Sequence, residues 1–254
     1  MKSSPKISVI TASLNSSSTI EKTIISVVNQ DIKNVEHIIK DGMSSDDTLQ
    51  ICKKFPNLKV VQKPDSGIYN AMNQGFAHST GDIICFLNSD DFFTDSSVLK
   101  EVSEIFIKYD VDFVYGNIDM INSEMKTVRT WRLSGNIDFD IENAQIPHPA
   151  FFVKKDSLMM VGSAPFDSSL EIAADLKQQI LLIKKHKRKG MHINRSLTKM
   201  MIGGKSTSNI KNILLGWRES VNVWNEVHGN GGIGYLYKKL CFKIKGLIYA
   251  LSRN

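Results

Sequence analysis

Four times in the first 111 residues a short β-branched run gives way to a segment with apolar residues at helical spacing. Each time a polar cluster lies between the two. The runs are "KISVITA", "VEHIIK", "LKVVQK" and "DIICFL". The segments that follow are "SSSTIEKTIISVVNQ", "SDDTLQICKKF", "GIYNAMNQGFAHS" and "SSVLKEVSEIFIKY". Such alternation predicts a doubly wound α/β fold with a mostly parallel sheet and flanking helices. In the first helix, Ser18 and Glu21 have the spacing of a capping box. Ligands of such sheets bind beyond the carboxyl ends of the strands. That edge collects "TASLNSS", "DGMSSDD", "KPDSG" and "NSDD".

After residue 111 the alternation stops. "DFVYGNI" and "KTVRTWRL" read as a hairpin or mixed sheet edge, "AFFVKK" as a further strand, and "LEIAADLKQQILLIKKHKR" as a helix. Residues 208–252 read as two helices joined by "HGNGGIG". The expected organisation is one α/β domain over 1–205 and a helical C-terminal extension over 206–254. The domain divides into a regular half, 1–111, and an irregular half, 112–205. The net charge of +6 hides an asymmetry. Residues 1–175 hold 16 Lys and Arg against 24 Asp and Glu, while 176–254 hold 16 against 2. The basic third predicts an anionic surface as its partner, either nucleic acid or phospholipid headgroups.

Asp90 and Asp91 stand side by side at the tip of an apolar strand, where one acid would suffice for a turn. Neighbouring carboxylates repel unless a cation lies between them. A Mn2+ or Mg2+ site fits, because these ions take hard oxygen ligands and often use only one or two protein carboxylates plus substrate phosphates. Asp41, before the permissive Gly42, is suited to accept an N–H from a nucleobase or a ribose hydroxyl, or to close an Asx turn. Thr11, in "TASLN", is suited to bond a base or ribose, or simply ends a strand. The loop of Asp65, Ser66 and Gly67 opens a helix whose first turns carry Asn70 and Asn73. A helix start attracts phosphate, and the two asparagines are poor helix formers that need a reason to be there.

In this order the four loops resemble the family 2 glycosyltransferases of GT-A fold, in the subgroup that assembles bacterial surface polysaccharides. The resemblance runs over "ISVITASLN", "IIKDGMSSDDT", "KPDSGIYNAMNQG" and "STGDIICFLNSDD". It implies a nucleoside-diphosphate sugar donor, UDP-sugar favoured, bound by Thr11, Ala12, Asn15, Asp41, Asp65, Asn70, Asn73 and Asp90, with the metal on Asp91. Asn88 stands where many members have the first of three acids. "QIPHPAFFVKKD" resembles the segment beneath the acceptor pocket and puts His148 near the reaction. "FDSSLEIAADLKQQILL" resembles the segment of the catalytic base and puts Asp175 there, with Ala174 and Leu176 replacing the usual acid and aromatic neighbours. Asp175 also reads as an N-cap of the basic helix. With one base and no carboxylate nucleophile, the resemblance implies inversion at the anomeric carbon, and it makes 1–111 the nucleotide-sugar-binding half and 112–205 the acceptor half. The implied acceptor is a hydroxyl of a glycan or lipid-linked molecule.

Other readings lack their motifs. No G-x-G-x-x-G follows the first strand and no G-x-x-x-x-G-K-[ST] occurs, which removes dinucleotide and P-loop enzymes. The alternative of a nucleotide- or nucleic-acid-binding module without transferase activity rests on the basic third. "KKHKRK", however, has no aromatic to stack a base, and no nucleic acid is expected. Cys52, Cys85 and Cys241 suggest neither disulfide nor zinc site. No signal peptide or membrane span is read from the sequence, so a cytoplasmic location is expected. An amphipathic stripe over 233–252, from Ile233, Leu236, Tyr237, Leu240 and Cys241 to Ile244, Leu247, Ile248 and Leu251, reads either as a helix that docks on its own domain or as one that attaches peripherally to the inner face of the cell membrane; the excess of lysines and the glycine-rich tether favour the second.

Overall fold

The computed structural model describes residues 4–133, 145–203 and 209–251, with side chains described as far as Cys241. Strands β1 (Ile7–Ser13), β2 (Val35–Asp41), β3 (Leu58–Gln62) and β4 (Ile83–Phe86) form the predicted parallel unit in the order β3-β2-β1-β4. Helices α1 (Ile20–Val28), α2 (Thr48–Cys52), α3 (Ile68–Ala77) and α4 (Val98–Lys108) follow these strands, α4 after a two-residue strand β5 (Phe92–Phe93). Beyond β4 the sheet becomes mixed. β6 (Phe113–Ile121) and β7 (Thr127–Trp131) form the expected antiparallel hairpin, and β8 (Phe151–Lys154) inserts antiparallel between β4 and β6. β9 (Gly190–Met201) pairs parallel with β6 and antiparallel with β5.

Alternate strand residues feed two cores. Ile10, Ile84, Phe113 and Phe151 face one side with Met72 and Phe76 of α3, while Val9, Cys85, Val114 and Phe152 face the other with Val98 and Val102 of α4. With both faces covered, the central strands read as unbroken apolar runs rather than alternating ones. α3 lies close on β1 because residue 75 is glycine: a Cβ there would come within 2.5 Å of Ile10 Cγ2.

Local details depart from expectation. α1 begins at Ile20 with no side-chain cap. Ser16 O accepts from Ile20 N–H at 2.9 Å, and the turn is fixed from outside by Ser16 N–H to Thr48 Oγ1 at 2.8 Å and Ser17 N–H to Asp46 Oδ2 at 3.0 Å. The Ser18–Glu21 capping box does not form; Glu21 pairs with Lys54 at 3.0 Å instead. The expected long helix from Leu170 is shorter. α5 (Lys155–Met159) follows β8, and α6 (Ala174–Ile180) ends in a wide π turn over Leu181–Lys185. The two C-terminal helices are α7 (Ile210–His228) and α8 (Gly232–Leu251). Val223 and Trp224 of α7 and Tyr235 of α8 join the same core as the sheet. Residues 134–144 and 204–208, within the acceptor half and at the expected boundary, lie outside the described residues, as do the side chains expected to carry the stripe beyond Cys241.

Candidate active site

The carboxyl ends of β1, β2 and β4 bring three of the predicted loops together. Thr11 is fully buried, and its Oγ1 lies 3.0 Å from His37 Nε2, on a ring whose pKa burial drops to about 3. Ala12 is half-buried against the core. Asn15 adopts φ 49° and links the first two loops: its N–H donates to Ser44 Oγ at 2.8 Å and its Oδ1 accepts from Ser45 N–H at 2.9 Å. Asp41 is fully buried. Its Oδ2 accepts from Met43 N–H at 3.0 Å and Ser44 N–H at 2.9 Å, and its Oδ1 from the Ser44 hydroxyl at 2.5 Å. That is the Asx turn foreseen for it. A nucleobase reaching Asp41 would have to share it with this loop.

The third loop is tied to the second by an unforeseen pair. Lys40, buried at the end of β2, places its Nζ 2.5 Å from Asp65 Oδ2. Gly42 makes room for that carboxylate, since a Cβ at 42 would sit 2.8 Å from Asp65 Oδ2. A fully desolvated ammonium persists only with such a partner. Asp65 Oδ1 takes the Gly67 N–H at 3.1 Å. The asparagines of α3 now have their reason. Asn70 Oδ1 accepts from Ser66 N–H at 3.3 Å and from Gln74 Nε2 at 2.8 Å. Asn73 donates to Phe166 O at 2.8 Å and accepts from Phe166 N–H at 3.0 Å, so both ends of its amide hold the segment before α6.

At the tip of β4 the two acids differ. Asp90 is half-buried, and burial raises its pKa. Asp91 has no exposure and its pKa is raised well above the carboxylate range, by burial first and by the Asp90 charge second. Asp91 Oδ2 accepts from Asn88 Nδ2 at 2.8 Å, while Oδ1 is buried without a partner among the described residues. Thr23 Oγ1, from α1, fixes the turn by bonds to Ser89 O at 3.0 Å and Asp91 O at 2.8 Å. No group of three or more His, Cys, Asp or Glu among the described residues could enclose a metal. The residues present fit an ion that leaves most of its shell to phosphate oxygens: two adjacent carboxylates, one with an orphaned oxygen, beside a neutral amide oxygen.

Asp175 lies in the first turn of α6, but Ala173 and not Asp175 is the N-cap. Its Oδ1 accepts from Leu176 N–H at 2.8 Å and lies 3.3 Å from the Tyr69 hydroxyl, and its Oδ2 accepts from Gln145 Nε2 at 2.8 Å. Tyr69, which no sequence motif marks, donates its one hydroxyl proton to Ile172 O at 2.7 Å. Its phenol stays protonated, its pKa raised by burial and then by the Asp175 charge. Tyr69 leads from Asp175 into an aromatic group, its ring 5.3 Å from that of Phe166. His148 stacks on Phe86 with centroids 5.6 Å apart, and Phe166 meets both rings edge-on at 4.8 and 5.5 Å. Both ring nitrogens of His148 are buried without partners among the described residues. Burial lowers its pKa against the opposing Asp175 charge, so the imidazole is neutral.

A strand-tip acid pair and a separate anchored carboxylate at the edge of a doubly wound sheet invite comparison with sugar-transferring enzymes. Residues 8–166 match the model of glycosyl transferase family 2. The chain belongs to that family. It is 34% identical over 187 residues to an uncharacterised glycosyltransferase of Mycobacterium tuberculosis, covering 69% of this chain and 68% of the relative. It is 28% identical over 177 residues to a PGL/p-HBAD biosynthesis glycosyltransferase of Mycobacterium bovis, covering 67% of each. The fold is similar to that of Staphylococcus aureus TarS 1–349, crystallised in complex with UDP. There the TM-score is 0.64 at 20% identity, over 85% of this chain and 66% of TarS 1–349. The same fragment in complex with UDP-GlcNAc gives a TM-score of 0.64 over 67% of its length. These findings bear out the resemblance, the GT-A-like fold and the expectation of a glycosyltransferase.

Proposed function

We propose that this glycosyltransferase moves a hexose from a nucleoside-diphosphate sugar, a UDP-sugar first, to a hydroxyl of a glycan or lipid-linked acceptor, with inversion, in bacterial surface polysaccharide synthesis. One observation carries the reading: the carboxylate of Asp175 is held by Gln145 and its own helix start beside Tyr69, and the ring contacts Tyr69–Phe166 and Phe166–Phe86 connect it to the strand that ends in the Asn88–Asp91 turn. Donor ends at the strand tips and base at α6 are the two halves of a direct displacement.

In this reading the Asp41–Ser45 loop, with Thr11, Ala12 and Asn15, receives the nucleoside. Asp65, Asn70, Asn73 and Asp90 line or brace the sugar-diphosphate side. Asp91 would hold Mn2+ or Mg2+, which when bound neutralises charge on the departing diphosphate. Asp175 takes the proton of the acceptor hydroxyl. The freed oxygen attacks the anomeric carbon, and the bond from that carbon to the diphosphate oxygen breaks. Neutral His148, stacked on Phe86, lies beneath the acceptor side of the site. UDP and UDP-GlcNAc bound to TarS support a UDP-sugar donor.

The proposed location is the inner face of the cytoplasmic membrane, through the basic C-terminal third, whose 16 Lys and Arg face 2 acids. No helix among the described residues is long and apolar enough to cross a membrane. The deciding experiment is a thermal-shift panel of UDP, GDP, dTDP and their hexoses with manganese. Stabilisation by uridine nucleotides above the others supports the donor; stabilisation by none of them defeats the proposal.

A further inference from the structure

The two acids of residues 176–254 are Glu219 and Glu226, both on α7, and both are spent on the segment that carries Asp175. Glu226 and Asp167 share Lys177 Nζ of α6 at 2.7 and 2.9 Å. Glu219, only 7% exposed, turns its carboxylate into the loop immediately before α6. Its Oε1 accepts from Glu171 N–H at 2.9 Å, and its Oε2 from Ile172 N–H at 2.8 Å and Ala173 N–H at 2.9 Å. Gly216, one turn earlier, lets α7 come this near: a Cβ there would stand 3.0 Å from Ile172 Cγ2.

Residues 170–173 have no ladder or helix to hold their shape. Three consecutive N–H groups of that loop end on one buried carboxylate, and the Ile172 carbonyl ends on Tyr69, whose hydroxyl also neighbours Asp175. Charge-assisted bonds of this kind are about twice as strong as neutral ones. Losing the carboxylate would strand three donors in a mostly buried place. The aim of Asp175 is thus set from both sides, by α3 through Tyr69 and by α7 through Glu219.

We propose that Glu219 is a positioning residue for the transfer reaction, fixing the Glu171–Ala173 loop so that Asp175 meets the acceptor hydroxyl. This rests on the reading of Asp175 as the base. It makes α7 a part of the acceptor site's architecture rather than an appendage to it.

The test uses the full chain and Glu219→Gln, which keeps the side chain's shape but replaces one accepting oxygen by a donor. Hydrogen exchange should accelerate at residues 171–173, with the central strands unchanged. Unaltered exchange in that loop overturns the proposal, and so does acceleration spread over the whole chain. In parallel, nucleotide release from UDP-, GDP- and dTDP-hexoses is followed for wild type, Glu219→Gln, Asp175→Asn and the double variant, with water as the attacking hydroxyl and, beside it, a panel of free sugars as acceptors. Misplacing a reacting group by about 1 Å costs on the order of 10²-fold, so Glu219→Gln should lower kcat to that extent. Donor KM should stay within about twofold, because donor binding is not touched. In the Asp175→Asn background the second substitution should cost nothing more; additive losses would mean that Glu219 acts elsewhere. Glu219→Asp, which restores the charge, should recover part of the rate. Should Asp175→Asn alone turn over at the wild-type rate, the base assignment fails, and the exchange data still decide whether Glu219 orders the loop.

Discussion

Asn88 gives its side-chain amide to Asp91 Oδ2 at 2.8 Å, and the other oxygen of that buried carboxylate has no partner among the described residues. The pair makes the acid turn a liability in the absence of a cation. Because burial and Asp90 raise the folded-state pKa of Asp91 above its ordinary 3.8, the folded chain binds this proton more tightly than the unfolded one. Stability from this group is therefore greatest in acid and falls as pH climbs from about 4 through the raised value. Asp91→Asn, which mimics the protonated acid, should flatten that fall and raise stability near pH 8 by about 1 kcal/mol, or roughly 2–4 °C in Tm for a chain of this size. Manganese should stabilise wild type more at pH 8 than at pH 5, since ion and proton compete for the same oxygens, and should stabilise Asp91→Asn much less. Thermal melts across pH with and without metal check all of this; a metal effect equal in both proteins removes Asp91 from the site.

Asp175→Asn should keep the fold and the donor affinity and lose turnover by roughly 10²–10⁴-fold, the usual contribution of a general base. Tyr69→Phe is the finer probe. It deletes the bond to Ile172 O while keeping the ring against Phe166, so stability should fall by only about 1 kcal/mol. Its turnover loss should lie between wild type and Asp175→Asn. Single-turnover rates with saturating donor, beside calorimetric affinities, separate the two effects.

Lys40 and Asp65 yield a stability prediction. Lys40 has no exposure, so Asp65→Asn leaves an ammonium in the core with a neutral partner. Breaking a buried pair from one side costs about 3–5 kcal/mol. Chemical denaturation should show that loss in Asp65→Asn, and a much smaller one when Lys40→Met accompanies it.

The parallel unit was legible because its signals agree: β-branched runs, helical spacing and polar strand ends all repeat in phase. β9 was not read as a strand. "GMHINRSLTKMM" interleaves His192, Asn194, Arg195 and Lys199 with its apolar residues, and its pairing to β6 shifts register twice. A strand held by tertiary partners, among them the Arg195 contacts to Asp95 and Glu101 on the segment leading into α4 and on α4 itself, need not advertise itself by pattern. The capping box misled for a related reason: Thr48 and Asp46, 32 and 29 residues from their partners Ser16 and Ser17, hold the turn in place of the local motif. Of the site, acids at strand tips could be named from sequence because their position is the signal. Lys40, Tyr69, Gln145 and Glu219 could not, as each acts through a partner distant in the chain. Only Glu219 left a trace, as one of two acids in a basic third.

The last prediction concerns α8. The helix presents two sides among its described side chains. Tyr235, 3% exposed, stacks on Trp224 with centroids 4.4 Å apart, so one side closes the domain core. Ile233 and Tyr237, one turn apart, are 77% and 70% exposed. An exposed apolar pair on a helix with no acid along its length matches an interfacial helix, and any lysine of the basic C-terminal third brought near anionic headgroups contributes on the order of 1 kcal/mol. Lys239 turns the other way, its Nζ donating to Ser220 Oγ at 3.3 Å. Removing the whole helix would also remove Tyr235 from the core, so the informative variant is Ile233→Ser with Tyr237→Ser. Wild type should float with vesicles containing anionic phospholipid and much less with neutral ones. The double variant should melt at the wild-type temperature yet lose most of its flotation. Equal flotation of the two proteins, or none of either, would mean that this side of α8 does not meet the membrane.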